Sequence, residues 1–372
     1  MPVLDKKIKN TFLSLVRLGT GHPVAGISEA IDWTQMRALA YQQGLSAIVL
    51  DGATALFDAG ELVGDRAMDA DLRRRWVADL IQNYEQRYVD YRIRIGELAG
   101  FYGKHGIRMM VLKGYGLSLD WPRPEHRPCG DIDIWTFGRH READAVLRRE
   151  TGIEIDISHH HHTVFPWKGY TVENHYDWVN VHYGHGNAAL EKIFKSFAMD
   201  DSHATDIDGQ KVYLPSPDLH ALFLVRHSML HFVSTKMNLR QILDWGFFVK
   251  RYTAEIDWDW LTGVLGRYKM TDFFTCLNAI CICDLGFDRA SFPVLQMDGG
   301  LKERVLEDTL CPEFSGTFPP DAGLVRRIGF KYRRWKAHAW KRRLCYTDSC
   351  FKSFWISAWS HLLKPSSIWN DA

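Results

Sequence analysis

Leu112-Lys113-Gly114-Tyr115-Gly116, followed from position 127 by Arg127-Pro128-Cys129-Gly130-Asp131-Ile132-Asp133-Ile134, is the stretch on which the reading of this chain turns. It sets two carboxylates two residues apart in an apolar, strand-like run shortly after a lysine-glycine turn. Side chains i and i+2 of a strand share a face, so Asp131 and Asp133 look out together while Ile132 and Ile134 pack inward. Two acids on one face repel each other. A divalent cation relieves them, and hard oxygen ligands of this kind suit Mg²⁺ or Mn²⁺. The bland alternative has both aspartates closing a strand and capping the next helix, with Lys113 and Arg127 in surface ion pairs. Such pairs contribute only about 0–1 kcal/mol each, so four charged groups around one turn make a weak structural device.

Outward from this stretch, Ile107 to Leu112 reads as a buried strand between a glycine turn and Lys113-Gly114. Gly114 to Leu119 reads as a short helix, and a loop with Pro122, Pro124 and Pro128 leads to a strand over Asp131 to Thr136. A helix over Arg139 to Arg149 and a short strand over Glu154 to Ile157 follow. Thr163 to Trp167 and Tyr170 to His175, joined by Lys168-Gly169, form a hairpin. Upstream, Ile31 to Phe57 has helical spacing, with Asp32 as N-cap and Gly52 near the stop. A longer helix spans Asp71 to Gly103, with Trp76, Leu80, Tyr84, Tyr88, Tyr91, Ile95 and Leu98 as one stripe. From Pro215 onward the texture is helical: Pro215-Ser216-Pro217-Asp218 opens a helix running to about His231, and Asn238 to Arg251, Asp257 to Tyr268, Asp272 to Leu285 and Lys302 to Leu310 follow. The expected class is α+β, a small mixed sheet flanked by helices. Its segments are N-terminal helices (1–106), a core (107–214) and a mostly helical C-terminal lobe (215–372).

The 372 residues are 46% hydrophobic and 24% charged, enough for a sizeable core and too polar for a membrane bundle. There is no apolar run long enough to span a bilayer and no secretion-signal layout, so a cytoplasmic address without a transmembrane segment is expected. The formal net charge of +1 says nothing about partners. Seven cysteines are scattered without zinc-ligand spacing, and Cys276, Cys281 and Cys283 are expected to be buried free thiols.

The pattern Leu112-Lys113-Gly114, then Arg127, then Gly130-Asp131-Ile132-Asp133-Ile134, then Val172-Glu173-Asn174-His175-Tyr176-Asp177 resembles a large bacterial nucleotidyltransferase family related to the DNA polymerase beta superfamily. Asn238-Leu239-Arg240-Gln241-Ile242-Leu243-Asp244-Trp245 is similar to that family's C-terminal part, so the likeness runs from about residue 30 over most of the chain. The resemblance implies a nucleotidyltransferase-type sheet, with Asp131 and Asp133 as the first two metal ligands and catalytic acids and Glu173 as the third. Gly114-Tyr115 departs from the Gly-Ser or Gly-Gly turn of many superfamily members.

Nucleotidyl transfer needs an acceptor oxygen deprotonated beside the α-phosphorus and a neutralised pyrophosphate leaving group, which two divalent ions on three carboxylates supply. On this reading Glu173 or Asp133 takes the acceptor proton. Gly114 and Gly130 lie where the backbone meets phosphate, with Gly114 opening a helix N-terminus. Lys113 and Arg127 hold phosphate oxygens, lysine as a point charge and arginine bidentately. His175, on the same face as Glu173, bonds that carboxylate or a phosphate.

Other constellations carry less. In the run His159 to His162 strand alternation lets at most two residues share a metal, and one or two inward histidines lining the pocket is the better reading. His227 and His231 are four apart on one helix face but lack the metalloprotease glutamate, and read as a satisfied pair. Asp244 is placed to bridge Arg240. Val325 to Leu344 holds nine lysines and arginines and no acids, interleaved with Phe330, Tyr332, Trp335 and Trp340, ahead of an apolar stripe from Phe351 to Leu363. Both segments read as the last helices of the second lobe, with nucleic-acid binding or an anionic surface as the alternative.

The leading expectation is a Mg²⁺- or Mn²⁺-dependent enzyme. It would move a nucleoside monophosphate from an NTP, ATP first, to a hydroxyl or phosphate on a small molecule, sugar, protein or RNA. The competing expectations are a nucleotide- or RNA-binding module with little catalysis, and a kinase-like γ-phosphoryl transferase.

Overall fold

The computed structural model describes residues 4–181, 185–234, 236–294, 296, 298–314, 316 and 323–346. Three helices open it. In α1 (Lys6–Gly19) the Asp5 carboxylate accepts from the Lys7 and Ile8 N–H groups, and Phe12, Leu15 and Val16 form the buried face. Asp32 caps α2 (Trp33–Gln42) as expected, accepting from Gln35 N. The single helix expected over Ile31–Phe57 is two, because Gly44 turns at φ +66° and the chain restarts as α3 (Ser46–Asp58). Gly52 sits inside α3 rather than at its stop. A Cβ there would lie 2.0 Å from Leu15 O, so the missing side chain lets α1 and α3 touch backbone to backbone. The turn before α3 is anchored by Gln43, which is fully buried. Its Oε1 accepts from Leu239 N at 2.8 Å and its Nε2 donates to Thr309 O at 3.1 Å.

The long helix expected over Asp71–Gly103 is α4 (Ala70–Leu80) and α5 (Arg87–Lys104), joined by wider π-helical turns over Ile81–Gln86. The core segment follows with β1 (Met110–Val111), the single turn α6 (Tyr115–Ser118), β2 (Ile132–Trp135), α7 (His140–Thr151), β3 (His162–Trp167) and β4 (Tyr170–His175). Beyond them come α8 (His185–Phe197), β5 (Ala204–Ile207) and β6 (Gln210–Tyr213). The strand over Ile107–Leu112 is thus shorter than expected, and Glu154–Ile157 contributes only the bridge Asp156 to Val164. The Lys168-Gly169 hairpin forms as expected, with both residues at positive φ. An overlooked hairpin joins β5 to β6 through Asp208-Gly209, also at positive φ.

The six strands make one mixed sheet in the order β3-β4-β2-β1-β6-β5, confirming the α+β class. β2 runs parallel to β4 and β1 parallel to β6, and the other neighbours are antiparallel. One face, with Ile132, Ile134, Val172 and Phe165, packs on α5 and α7 through Tyr91, Ile95, Leu98, Val146 and Leu147. The other face meets a helical body.

That body comprises α9 (Pro217–Ser234), α10 (Leu239–Tyr252), α11 (Trp258–Arg267), α12 (Thr271–Cys283), α13 (Gly299–Leu310), α14 (Leu324–Ala337) and α15 (Ala339–Cys345). The N-terminal helices α1–α3 share its apolar cluster, as do Met110, Leu112 and Trp135 of the sheet. Asn238 caps α10 with Gln241 in a capping box. Cys276 and Cys281 are buried thiols as expected, but Cys283, two residues past Cys281 on the outer side of α12, is exposed. No helix among the described residues is long and apolar enough to cross a membrane. The stripe at Phe351–Leu363 lies outside the described residues.

Replacing Gly52 by Ala should force α1 and α3 apart. Overpacking of this kind costs about 1–3 kcal/mol, and the check is a lower midpoint in urea unfolding with an unchanged slope.

Candidate active site

A cavity of about 790 Å³ opens between the carboxylate face of the sheet and helices α9, α10, α14 and α15. Every residue singled out from the sequence lies on its wall: Lys113, Gly114, Arg127, Gly130, Asp131, Asp133, Glu173 and His175. The strand register explains this convergence. Parallel pairing of β2 with β4 sets Asp133 directly beside Glu173 and Trp135 beside His175, and Asp131 precedes β2 on the same face.

Asp133 is buried and held from two sides. Lys113 Nζ stands 2.7 Å from its Oδ1, and His175 Nε2 bonds the same oxygen at 3.2 Å. Burial alone would raise the Asp133 carboxyl; the Lys113 charge and the His175 hydrogen bond override it and hold it far below the usual carboxylate range. Glu173 is half-buried, 3.5 Å from His175 Nε2 and 3.8 Å from His162 Nε2. Burial pushes it up, yet the His175 hydrogen bond and the His162 charge bring it below its ordinary value. Exposed Asp131 moves the other way: its carboxyl is raised by desolvation and by the like charges of Glu173 and Asp133. His175, expected to meet Glu173 or a phosphate, thus meets carboxylates, whose hydrogen bonds outweigh its burial and raise its pKa.

The Gly114 turn is built tightly. Gly114 has φ +51°, and a Cβ on it would lie 2.3 Å from the Tyr91 hydroxyl. That hydroxyl donates to the Asp131 main-chain oxygen at 2.8 Å, clamping the entry to β2. α6 is a single turn, and its Gly116 and Ser118 N–H groups are engaged by Lys113 O and Gly114 O, so little helix dipole faces the cavity. Around Gly130 the space is open, with nothing within 4 Å of a Cβ, so sterics do not demand glycine there.

Arg127 is placed differently from expectation. Its Nε and Nη2 donate to the two oxygens of Asp244 at 2.7 and 3.0 Å, both residues being 4% exposed. Trp121 Nε1 adds a bond to the same carboxylate at 2.9 Å. The bidentate face that phosphate would need is spent on tying the 121–128 loop to α10. Asp244 was foreseen only as a partner of Arg240, which lies at 3.8 Å.

The helical wall adds residues that sequence reasoning did not assign to the site. Buried Arg226 of α9 donates to Asn187 Oδ1 at 3.2 Å, while its Nη1 has no partner. His227 and His231 do pair, Nε2 to Nε2 at 3.1 Å. Burial, with the Lys113 charge next, drives both down, His231 to about 4 and His227 well below its usual value. Lys331, Arg334, His338 and Arg342 reach the cavity from α14 and α15, so the basic tail is partly a cavity wall. Its other side packs: Phe330 is buried, His338 Nδ1 bonds Val233 O at 3.1 Å, and Lys341 pairs with Asp308 at 2.5 Å. The spacing of Lys331, Arg334, Trp335 and His338 at three or four residues was the available signal for this face. Of the histidine run, His161 and His162 line the cavity, as expected for one or two of the four. Burial and neighbouring imidazoles push His161 down to about 3, and His162 lies at about 4 through burial.

A family model described as an uncharacterised nucleotidyltransferase matches residues 29–284, and the chain belongs to that family. No curated protein and no solved structure matches it.

Asp244→Asn should leave Arg127 buried and charged without its counter-ion. Breaking one side of a buried pair costs about 3–5 kcal/mol, readable in urea unfolding. Gly114→Ala should destabilise through its positive φ, by about 1–2 kcal/mol, and further through the clash with Tyr91. Tyr91→Phe should relieve only the second part, so the double variant should be less destabilised than the sum of the singles in a mutant cycle.

Proposed function

We propose that this member of the family transfers a nucleoside monophosphate from an NTP, with ATP as the first donor to try, to a hydroxyl or phosphate acceptor, releasing pyrophosphate. The observation that carries the reading is the side-by-side placement of Asp133 and Glu173 on parallel strands, with Asp131 beside them on one cavity face. The Asp131 carboxyl is raised by desolvation first and by the like charges of Glu173 and Asp133 next, and a divalent cation would relieve the latter. Oxygen donors from Asp133 and Glu173, with a nitrogen of His175, lie within 4.8 Å of one another, close enough for one ion after small side-chain shifts. Asp131, Asp133 and Glu173 would hold Mg²⁺ or Mn²⁺, which when bound neutralises the triphosphate and acidifies the acceptor hydroxyl.

The chain's own groups do the rest by position and charge. The acceptor oxygen forms its bond to the α-phosphorus as the bond to the bridging α–β oxygen breaks, and pyrophosphate leaves with that electron pair. Glu173 takes the acceptor proton. Lys113 and the opened backbone at Gly114 lie where phosphate oxygens would rest. Seven lysines and arginines line the cavity against four carboxylates, an excess that suits a polyanionic substrate. Arg127 works through Asp244 as a strut rather than on phosphate. His175 orients Asp133.

With α-³²P-labelled ATP and a panel of acceptors, pyrophosphate should appear only when divalent metal and acceptor are both present. Asp131→Asn with Asp133→Asn should lower the rate roughly 10³-fold or more, several kcal/mol of lost transition-state stabilisation. Unchanged turnover in that variant would overturn the assignment. Nucleotide uptake by calorimetry without pyrophosphate under any acceptor would leave a binding module, and label transferred only from the γ position would make it a kinase-like enzyme.

A further inference from the structure

The histidines of the cavity form a second donor set, of which the carboxylate chemistry draws only on His175. His161 at the bend before β3, His162 at the start of β3 and His175 at the end of β4 offer ligand atoms that all lie within 4.8 Å of one another. Antiparallel pairing of β3 with β4 sets His162 opposite His175, with ring centroids 5.2 Å apart. His161 stands edge-on to His162 at 4.3 Å. His162 is 6% exposed and His175 4%, yet Nδ1 of all three rings is buried without a hydrogen-bond partner. An unpaired buried polar atom costs about 1–3 kcal/mol, and three in adjoining rings ask for one common partner.

The Nε2 edge of two of these rings is already engaged. The two carboxylate oxygens of Glu173 face His162 Nε2 and His175 Nε2 at 3.8 and 3.5 Å. Asp133 bonds His175 at 3.2 Å, the carboxylate–imidazole arrangement that orients histidines serving as metal ligands. Imidazole donors suit Zn²⁺ and its neighbours in the transition series, whereas Mg²⁺ prefers oxygen alone.

We propose that His161, His162 and His175 form a three-nitrogen site for a Zn²⁺-type transition-metal ion, with water as the fourth ligand, adjoining the Asp131–Asp133–Glu173 side of the cavity. Tetrahedral zinc with Zn–N bonds of about 2.0–2.1 Å sets its nitrogens roughly 3.4 Å apart. The rings must therefore draw in from a spread of up to 4.8 Å. His161, lying ahead of the strand, is the ring with room to do so. The site does not depend on which reaction the cavity performs.

The test uses the full chain without an added polyhistidine tag, stripped with a chelator and titrated with Co²⁺ in the absence of nucleotide. One equivalent should bind with the visible d–d absorption of a low-symmetry complex, and Zn²⁺ should displace it. His161→Ala with His162→Ala should remove those bands and weaken binding at least tenfold, while Asp131→Asn should retain them. Should the double variant fail the circular-dichroism check of its fold, His161→Asn alone carries the same expectation. Less than one equivalent bound to the wild type, bands that survive in folded histidine variants, or bands lost in Asp131→Asn would each overturn the proposal. Since no turnover is read, its failure leaves the pyrophosphate experiment untouched, and the reverse holds too.

Discussion

A carboxylate buried beside another carboxylate must be given positive charge, and Asp133 receives it from two directions. Lys113 arrives from the turn after β1 and His175 from the end of β4, both on the same oxygen of Asp133. That arrangement exists only because β2 lies between β1 and β4 and runs parallel to β4. Slipping the β2–β4 register by one residue would turn Asp133 into the apolar layer of α5 and α7 and bring Ile132 or Ile134 to the cavity. The ion pair and the sheet register therefore enforce each other, and the positions of Glu173, His162 and Asp131 follow from them.

Much of this was written locally. The Asp131-Ile132-Asp133-Ile134 alternation, the Lys168-Gly169 turn and the cap at Asp32 each depend on neighbours a few residues away, and each formed as the pattern implied. What escaped depends on groups far apart in the chain. Arg127 meets Asp244 across 117 positions, and no spacing rule distinguishes that partner from a phosphate. The break between α2 and α3 is enforced by Gln43 bonding Leu239 and Thr309, contacts that exist only once the helical body has assembled. By contrast the Asp208-Gly209 hairpin and the α14 face carry local signals, an Asp-Gly turn in the first and basic and aromatic residues three or four apart in the second.

The matched family residues 29–284 hold every carboxylate of the cavity, whereas Lys331, Arg334 and Arg342 come from beyond them. The acidic side of the cavity thus lies within the matched span, and part of the basic side lies beyond it. Trp335 reinforces the added wall: the Arg342 guanidinium stands 4.5 Å from its ring centroid and also donates to its main-chain oxygen.

Helix α9 is gripped almost all round: Leu219, Ala221, Leu222, Phe223, Leu224, Val225, Met229, Phe232 and Val233 are all buried, leaving no broad solvent-facing side. Apart from its cavity-facing side, a rod held this way can neither roll nor slide without unpacking several neighbours at once. The body therefore behaves as a stiff frame on this side of the cleft. The α14–α15 wall is anchored in the same body through Phe330, His338, Lys341, Leu344 and Cys345, all buried, so both walls of the cleft rest on one packed unit.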